Sequence, residues 1–319
     1  MTRSDQISPP ATNSIPPQIT DPPHEGPSKH NDEGFPRDVK RNTPPPSEDN
    51  SDVSAATFTA RKASKLQYIS RYMGMELDRT HTDLVLIICG FVAGLVDGLS
   101  FNAWGSFSSM QTGNTVFIAL GVSGQPEYPA YLWAKSLIAL TVFLSSTIFF
   151  IQLSRLLNPL RRSTLILSFG TQTAALLVAA ILVQLSIVSP RPEDPRAPIE
   201  WSQIIPIALL AFQAAGQLCA SRLLEYDEVP TVVVTTLLCD LLNDVKLCAR
   251  PWSANPKRNR RIGAFLALFL GAMTAGGLSK VASMASSLWF AMALKSAITV
   301  SWVFWKDGDG RIRPKRGFR

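Results

Sequence analysis

The chain has 319 residues, 46% of them hydrophobic, and a formal net charge of +7. Charge and hydrophobicity are segregated along the chain. Residues 1–80 form a polar tail that contains eleven of the 23 prolines, and apolar runs dominate from Leu84 onward. A tail of this composition buries too little apolar surface to fold, so we predict an all-α integral membrane protein with a disordered N-terminal tail.

Several classes of function are excluded by what the apolar part lacks. The three histidines, His24, His30 and His81, all precede it, which leaves no histidine for a proton relay or a metal site in the bilayer. The chain has no HExxH, GxSxG or GxGD motif, so we expect neither an enzyme nor a cofactor. Its Lys and Arg residues cluster beside the apolar runs, where they determine membrane topology, and they do not indicate nucleic-acid binding.

Six apolar runs are long enough to cross a hydrocarbon core, which takes roughly 20 helical residues. They cover residues 84–103, 132–153, 164–188, 203–222, 262–279 and 283–305. Before the first run, Leu66, Ile69, Met73 and Leu77 recur at helical spacing among basic residues. This pattern predicts an interfacial helix that begins near residue 57, or alternatively an extended basic flank that orients the first span.

The basic clusters indicate the orientation of the chain. Lys and Arg residues precede the first span, follow the second, precede the fifth and continue into a basic tail at residues 306–319. The link at residues 189–202 instead carries three acidic residues. With six spans and both termini in the cytosol, every basic cluster lies inside, as the positive-inside rule expects. A basic helix facing an anionic leaflet favours the plasma membrane over internal membranes.

Two shorter apolar stretches, Thr112–Gly121 and Val229–Leu242, follow the first and the fourth span. If either stretch crossed the membrane alone, all later segments would invert, so we interpret both as re-entrant or half-membrane segments. The membrane domain, residues 83–305, then consists of two units, each with three spans and one short segment. Because three is odd, the two units have opposite orientations, an arrangement found in many secondary transporters.

The first span and the segment after it contain Asp97-Gly-Leu-Ser-Phe101, Gly105-Ser-Phe107 and Thr112-Gly-Asn114. In these motifs the chain resembles the YoaK-type family of membrane proteins, a family of unknown function. The resemblance extends over roughly Asp83–Trp305 and implies a polytopic membrane protein without supplying a substrate. The threonine-rich segment of that family resembles Thr231–Thr236 in this chain.

Two charged residues lie inside the apolar runs, Asp97 in the first span and Lys295 in the last. Counting 1.5 Å per residue from opposite faces places their backbones within about 7 Å of each other in depth. Either charge alone is costly in lipid, so we predict an Asp97–Lys295 ion pair. The pair either couples uptake of a proton or cation by Asp97 to release of Lys295, or is a permanent structural contact. Asp240 is the alternative partner for Lys295.

The remaining candidate residues are polar groups at the helix breaks and within the spans. The start of a half-helix exposes amide groups and a partial positive charge, and a Gly-Asn step allows close approach of a ligand. We therefore expect an anionic or hydroxylated solute there, with N-capping of a short helix as the alternative role. The candidates, besides Asp97, Asp240 and Lys295, are Ser100, Thr112, Gly113, Asn114, Thr115, Gln213, Gln217 and Thr235.

These features favour a carrier or channel for a small solute, with Asp97 as the candidate group for proton coupling. Six spans are few for a carrier, which makes a homo-oligomer an open alternative to a single working chain. The long Pro-rich tail favours a second hypothesis, in which a membrane organiser or regulatory protein without transport recruits partners through its tail.

Overall fold

The computed structural model describes residues 67–125, 131–189, 199–226, 228–229 and 234–308. The predicted disordered tail up to residue 66, most of the acidic link and the basic tail from residue 309 lie outside the described residues. The same holds for the start of the interfacial helix near residue 57 and for the first part of the threonine-rich segment.

The described residues form nine α-helices and no strand. They are α1 (residues 67–74), α2 (Thr82–Trp104), α3 (Gln111–Val122), α4 (Leu132–Leu157), α5 (Arg162–Gln184), α6 (Ile204–Leu223), α7 (Val234–Leu242), α8 (Pro256–Val281) and α9 (Met284–Phe304). Six of them, namely α2, α4, α5, α6, α8 and α9, are long and apolar enough to cross a membrane. The six predicted spans are therefore confirmed, and the chain is an integral membrane protein.

The fifth span begins earlier than its apolar pattern predicts. α8 starts at Pro256 rather than at residue 262, and Asn255 Oδ1 accepts the N–H of Arg258 at 3.0 Å. Proline suits the first helical position because the N–H it lacks would have no partner within the helix there. Pro256 and the Asn255 cap thus start the helix within a basic segment, which is too polar for hydropathy alone to identify as part of the span.

The helix before the first span ends earlier than predicted. α1 ends at residue 74, and Leu77 lies instead in an extended segment, where it forms an isolated bridge with Asp307. The neighbouring Glu76 pairs in the same way with Arg161. Leu77 is buried, so its apolar side chain packs against the helix bundle rather than along an interfacial helix. The prediction that Leu77 continues the apolar stripe of the interfacial helix is therefore wrong.

α2 packs along α8, and the two helices run in the same direction. A Cβ atom on Gly94 would lie 2.1 Å from the carbonyl oxygen of Leu268, while Gly90, one turn earlier, faces the carbonyl of Ala264. Gly271 of α8 meets the backbone of α2 just as closely. Only glycine allows two helix backbones to approach to this distance.

α4 packs along α6, again in parallel. Lys135 near the start of α4 contacts Gln203, which immediately precedes α6, and Phe150 further along α4 lies against Gly216 of α6. Residues later in α4 thus contact residues later in α6, which shows that the two helices run in the same direction.

α5 and α9 run antiparallel to each other. Arg162 at the start of α5 donates from Nη2 to the carbonyl of Trp305, just after α9, at 2.5 Å. Further along α5, the hydroxyl of Thr173 lies 2.9 Å from that of Thr299, which precedes Trp305. These contacts place the start of one helix beside the end of the other.

Exchanging the two units leaves the pattern of helix contacts unchanged. The first unit consists of α2 to α5 and the second of α6 to α9. The exchange converts the α2/α8 pair into the α6/α4 pair, and the α5/α9 pair into itself. The contact of α5 with α6 becomes that of α9 with α2, and the contact of α3 with α4 becomes that of α7 with α8. The fold therefore consists of two inverted three-span units, as predicted.

The short helices α3 and α7 occupy equivalent places in the two units. They contain 12 and 9 residues. At 1.5 Å per residue they are about 18 and 14 Å long, well short of a hydrocarbon core of about 30 Å. Each lies between the first and second span of its unit, where the half-membrane segments were predicted.

Candidate functional site

Asp97 is bound by the turn that follows its own helix. Its Oδ1 accepts the N–H of Ser108 at 2.8 Å, the hydroxyl of Ser108 at 2.6 Å and the N–H of Ser109 at 2.7 Å. Its Oδ2 accepts the hydroxyl of Ser109. The carboxylate is buried, and these four donors compensate for its loss of water; no cation pairs with it among the described residues.

This turn brings the chain back toward the middle of α2. α2 ends at Trp104, two helical turns after Asp97, which corresponds to about 10 Å. Residues 105–110 return to the level of Asp97, and α3 begins at Gln111. The incoming part of the re-entrant segment is therefore irregular, and the outgoing part is the helix.

Asn114 holds the same turn from the other side. Its Oδ1 accepts the N–H of Phe107 at 3.0 Å, and its Nδ2 donates to the carbonyl of Phe107 at 2.8 Å. Ser100 donates its hydroxyl to the carbonyl of Ser106 at 2.8 Å. A Cβ atom on Gly113 would lie 2.8 Å from the ring of Phe107, so glycine makes room for that ring. The three motifs that carry the family resemblance thus meet in one hydrogen-bonded turn.

Two other residues predicted at this break lie outside the turn. Thr112 and Thr115 are exposed on α3, and the hydroxyl of Thr115 donates to the carbonyl of Gln111 within the helix. Met110 is the N-cap of α3, and it makes no hydrogen bond through its side chain. The predicted N-cap role of Thr112 or Asn114 is therefore wrong. An external anion at this break would have to replace the carboxylate of Asp97.

Lys295 does not pair with Asp97. Its Nζ donates to Oε1 of Gln217 at 2.6 Å and lies 5.4 Å from the ring centroid of Phe169. Gln217 in turn donates from Nε2 to the carbonyl of Cys89 at 2.8 Å. The predicted ion pair is wrong because similar depth in the bilayer does not make two residues face each other. Release of Lys295 by protonation of Asp97 is excluded with it.

The alternative prediction, that Asp240 pairs with Lys295, is also wrong. Asp240 is exposed on α7, as is Thr235, whereas Lys295 is completely buried. Within the described ranges, no carboxylate forms a salt bridge with Lys295. Its ammonium group therefore has an amide oxygen and an aromatic ring beside it, and no carboxylate counter-ion in the part of the chain that the structure describes.

Lys295 belongs to a layer of buried polar residues, which we call the polar layer: Lys295, Gln172, Gln213 and Gln217. Two separate hydrophobic clusters occupy the core on its two sides. Phe169, Ala220 and Ile298 belong to one cluster, and Leu176, Ala215 and Ala291 to the other. The polar layer therefore interrupts the apolar core where α5, α6 and α9 meet.

Two glutamines of the polar layer have a side-chain oxygen without a hydrogen bond among the described residues. The Oε1 atoms of Gln172 and Gln213 are buried and have no partner among the described residues. Gln172 donates from Nε2 to the hydroxyl oxygen of Ser168 at 3.2 Å. The candidate residues from the sequence include Gln213 and Gln217 but omit Gln172, although all three are glutamines within spans. Nothing in the sequence marks Phe169 as a neighbour of a cation.

A narrow cleft leads toward the polar layer. It lies among α4, α5 and α6, extends from Pro159 and Leu223 to Phe150 and Ser168, and has room for about one water molecule. Ser168 is the residue that accepts the hydrogen bond of Gln172. The cleft therefore ends at a hydrogen-bond partner of the polar layer, while no residue of that layer lines it.

Lys135 joins three helices at the opposite end of the bundle. Its Nζ donates to Oε1 of Gln203 at 2.5 Å and to the carbonyl of Trp104 at 3.5 Å. Through these contacts, which we call the Lys135 clamp, the start of α4 holds the end of α2 and the residue before α6.

Arg260 makes the corresponding contacts at the end of the bundle where α2 begins. Its Nε donates to Oδ2 of Asp83 at 2.8 Å, and its guanidinium carbon lies 4.7 Å from the ring centroid of Tyr226. Through these contacts, which we call the Arg260 clamp, the start of α8 holds the start of α2 and the residues after α6. The sequence gives no direct sign of either clamp, because both depend on the inverted packing.

The basic residues are strongly biased toward the end of the bundle that carries the Arg260 clamp. On the described part of the chain, this end holds Arg71, Arg79, Arg155, Arg161, Arg162, Arg222, Lys246, Arg250, Lys257, Arg258, Arg260, Arg261 and Lys306. The opposite end holds Lys135 and Lys280 among the described residues.

The loop between α7 and α8 is fastened at this basic end. Asp244 accepts Nδ2 of Asn255 at 3.0 Å and the N–H of Lys246 at 2.9 Å. These two hydrogen bonds hold the pKa of the Asp244 carboxyl below its usual range. Arg258 donates to the carbonyls of Leu247 and Ala249 at 2.9 Å each. The loop is therefore held by charged side chains rather than by regular structure.

The comparisons identify a family but no function. A family model described as "Protein of unknown function (DUF1275)" matches residues 85–301, which is more than half of the chain and includes Asp97, Lys135, Arg260 and the polar layer. No curated protein and no solved structure matches the chain. Among the described residues, no group of three or more His, Cys, Asp or Glu side chains is placed to hold a metal ion.

Proposed function

This chain belongs to the DUF1275 family of proteins of unknown function, and we propose that it carries a small solute across a membrane by opening its two ends in turn. The observation that carries the proposal is the inverted exchange of the two units, with Lys135 and Arg260 as clamps at opposite ends. Inverted repeats of this kind place the two ends of a carrier in equivalent roles around a site near the midplane.

The route of motion follows from the helix pairing. α2 and α8 form one parallel pair, and α4 and α6 form the other. Each clamp joins the two pairs at one end, through the contact of Lys135 with the carbonyl of Trp104 and that of Arg260 with the ring of Tyr226. A rocking motion of one pair against the other breaks one clamp while it preserves the opposite one. The described conformation has both clamps formed and the polar layer buried, so it corresponds to a closed state of the carrier.

Asp97 has a different role in this proposal from the ion pair predicted at first. Protonation of its carboxyl group would remove the negative charge that strengthens the four hydrogen bonds from Ser108 and Ser109. Weaker hydrogen bonds would loosen the turn that leads into α3. Proton coupling through Asp97 would therefore act on this turn, at a distance from Lys295.

Most of the described Lys and Arg residues lie at the end of the bundle that carries the Arg260 clamp. By the positive-inside rule, this end would face the cytosol. Residues 67–81 lead into the first span at this end, and Lys306 follows the last span there. Both termini would therefore be cytosolic. The same basic surface is suited to the anionic inner leaflet of a plasma membrane.

Uptake by proteoliposomes tests the proposal. Purified wild-type chain, Asp97→Asn and Asp240→Asn are reconstituted at equal density and supplied with a panel of labelled anions, cations and neutral solutes, with and without a proton gradient. Asp240→Asn is the matched control because Asp240 is an exposed aspartate outside the turn. We expect solute uptake by the wild type and by Asp240→Asn, and reduced uptake or a lost response to the gradient in Asp97→Asn.

The opposite result favours the second hypothesis, the membrane organiser. If the monodisperse wild-type protein moves no solute of any class and Asp97→Asn lowers only the unfolding temperature, then the carrier proposal is wrong. Recruitment of partners by the tail would then be the function to examine.

A further inference from the structure

We propose that the polar layer binds a small organic monoanion, a monocarboxylate that also carries a hydroxyl or amino group, with Lys295 as the residue that contacts the carboxylate. This inference rests on the proposed function, because it names the class of solute that the carrier takes. It goes beyond the break at Asn114, where sequence reasoning expected the solute.

Lys295 supplies the charge of the site. Its side chain has no exposed surface. Among the described residues its Nζ has one hydrogen-bond acceptor, Oε1 of Gln217, although an ammonium group has three N–H donors. A buried cation is costly unless it is paired. A carboxylate beside Nζ would supply the counter-ion that the described part of the chain does not.

The charge of the ligand follows from the charge of its surroundings. Asp97 is bound by Ser108 and Ser109 and does not reach Lys295, so the polar layer carries one positive charge. A monoanion neutralises this charge, whereas a dianion would leave a buried negative charge without a partner.

The glutamines supply the hydrogen-bonding part of the site. Oε1 of Gln172 and Oε1 of Gln213 are buried acceptors with no partner in the described part of the chain. Buried acceptors without hydrogen bonds are rare because each carries a desolvation penalty. A ligand with a hydroxyl or amino group next to its carboxylate would donate to these oxygens while Lys295 binds its charge.

The cleft among α4, α5 and α6 approaches the site from one end of the bundle and marks where a route would open. It ends at Ser168, which accepts the hydrogen bond from Gln172, and Phe169 beside Ser168 contacts Lys295 through its ring. In the closed conformation the cleft admits about one water molecule, so a solute requires the opening motion of the carrier.

The test measures binding separately from transport. The full chain is purified in detergent, and its unfolding temperature is recorded with increasing sodium lactate, propionate, succinate or chloride. Lactate is the hydroxylated monocarboxylate, propionate lacks the hydroxyl group, and succinate is a dianion. We expect lactate to raise the unfolding temperature of the wild type at lower concentrations than the other three ions, since a ligand that binds the folded state stabilises it.

Two variants test the role of Lys295. Lys295→Met should weaken lactate binding about tenfold or more, the value of a charge-assisted hydrogen bond, while Lys280→Met, a change at an exposed lysine, should bind as the wild type does. Gln217→Glu keeps the size of the side chain and places a carboxylate beside Nζ. It should abolish lactate binding even if Lys295→Met fails to fold.

A third variant tests the hydroxyl contact. Gln213→Leu should reduce the preference for lactate over propionate and leave propionate binding unchanged. Unchanged lactate binding in Gln217→Glu, or equal affinity of the wild type for all four ions, would overturn the inference.

The inference and the proposed function fail in different ways. Uptake of a cation or a neutral solute without any binding of lactate would overturn the inference and leave the carrier intact. Lactate binding that Gln217→Glu abolishes, without flux in proteoliposomes, would support the site and overturn the carrier.

Discussion

Lys135 and Arg260 are counterparts in the two units and hold opposite ends of the same bundle. Lys135 is the fourth residue of α4 and Arg260 the fifth residue of α8. Each contacts the end of one unit's first span and the start of the other unit's first span. Exchange of the units converts one clamp into the other, so the two residues are equivalent in position although they differ in chemistry.

Removal of one clamp should open only its own end. Arg260→Gln removes the guanidinium from the ring of Tyr226, a cation–π contact between the two pairs that contributes about 1 kcal/mol, so the open population should rise about fivefold. Cys219 lines the cleft at this end and reports the opening through its rate of labelling by a maleimide. The exposed thiols of Cys239 and Cys248 are replaced by serine for this measurement.

Lys135→Gln is the matched control for this prediction, because it breaks the clamp at the far end. We expect it to leave the labelling rate of Cys219 unchanged or lower. An equal increase in both variants would mean that the clamps stabilise the bundle as a whole and do not control its two ends separately.

Loss of the Asp97 carboxylate should destabilise the first unit. Asp97→Ala leaves the buried N–H groups of Ser108 and Ser109 without an acceptor. The cost should be about 3 kcal/mol, which lowers the unfolding temperature by about 5 to 10 °C in a chain of this size. Differential scanning fluorimetry in detergent measures the shift. A decrease no larger than that of Asp240→Ala would show that the turn makes no contribution to stability.

The fold was largely predictable from the sequence because hydropathy and charge are one-dimensional signals. The six spans follow from run length, and the basic clusters fix the parity that makes α3 and α7 half-membrane segments. The start of α8 was missed because an apolar run does not include Arg260 and its neighbours. Pro256 and the preceding Asn255 were the local signals that could have placed it.

The site was less predictable because partners depend on which side of each helix faces which neighbour. Counting residues along the spans places Asp97 and Lys295 at similar depths in the bilayer. In the structure, however, Asp97 faces the turn after α2, whereas Lys295 faces α6. Ser108 and Ser109 carried a usable signal, since adjacent hydroxyl residues after a helix break are natural donors to a buried acid. The partner of Lys295 required the register between α6 and α9, which a single sequence does not contain.

The contact of α2 with α8 should depend on two glycines. A Cβ atom on Gly94 would lie 2.1 Å from a backbone carbonyl of α8, and one on Gly271 would lie 2.0 Å from a backbone carbonyl of α2. Backbone atoms cannot move aside as a flexible side chain can, so Gly94→Ala should separate the helices and reduce the yield of monodisperse protein. Size-exclusion chromatography measures this yield.

Gly277→Ala is the control for the glycine prediction. No atom lies within 4 Å of a Cβ placed there, and alanine favours a helix over glycine by about 1 kcal/mol. The control should therefore fold at least as well as the wild type. If Gly94→Ala folds equally well, the close approach of α2 and α8 is not required for assembly.

The loop between α7 and α8 should loosen in acid through Asp244. Because its hydrogen bonds from Asn255 and Lys246 lower the pKa of the folded state, the carboxylate stabilises the loop above the usual pKa of aspartate. This contribution is lost as the pH falls from that value, 3.8, through the lower pKa of the folded state. Hydrogen exchange of residues 244–255 should therefore show less protection at pH 3 than at pH 6, after correction for the intrinsic exchange rate. Asp244→Asn, which does not titrate, should give the same protection at both pH values, and a pH dependence equal to that of the wild type would assign the effect to another group.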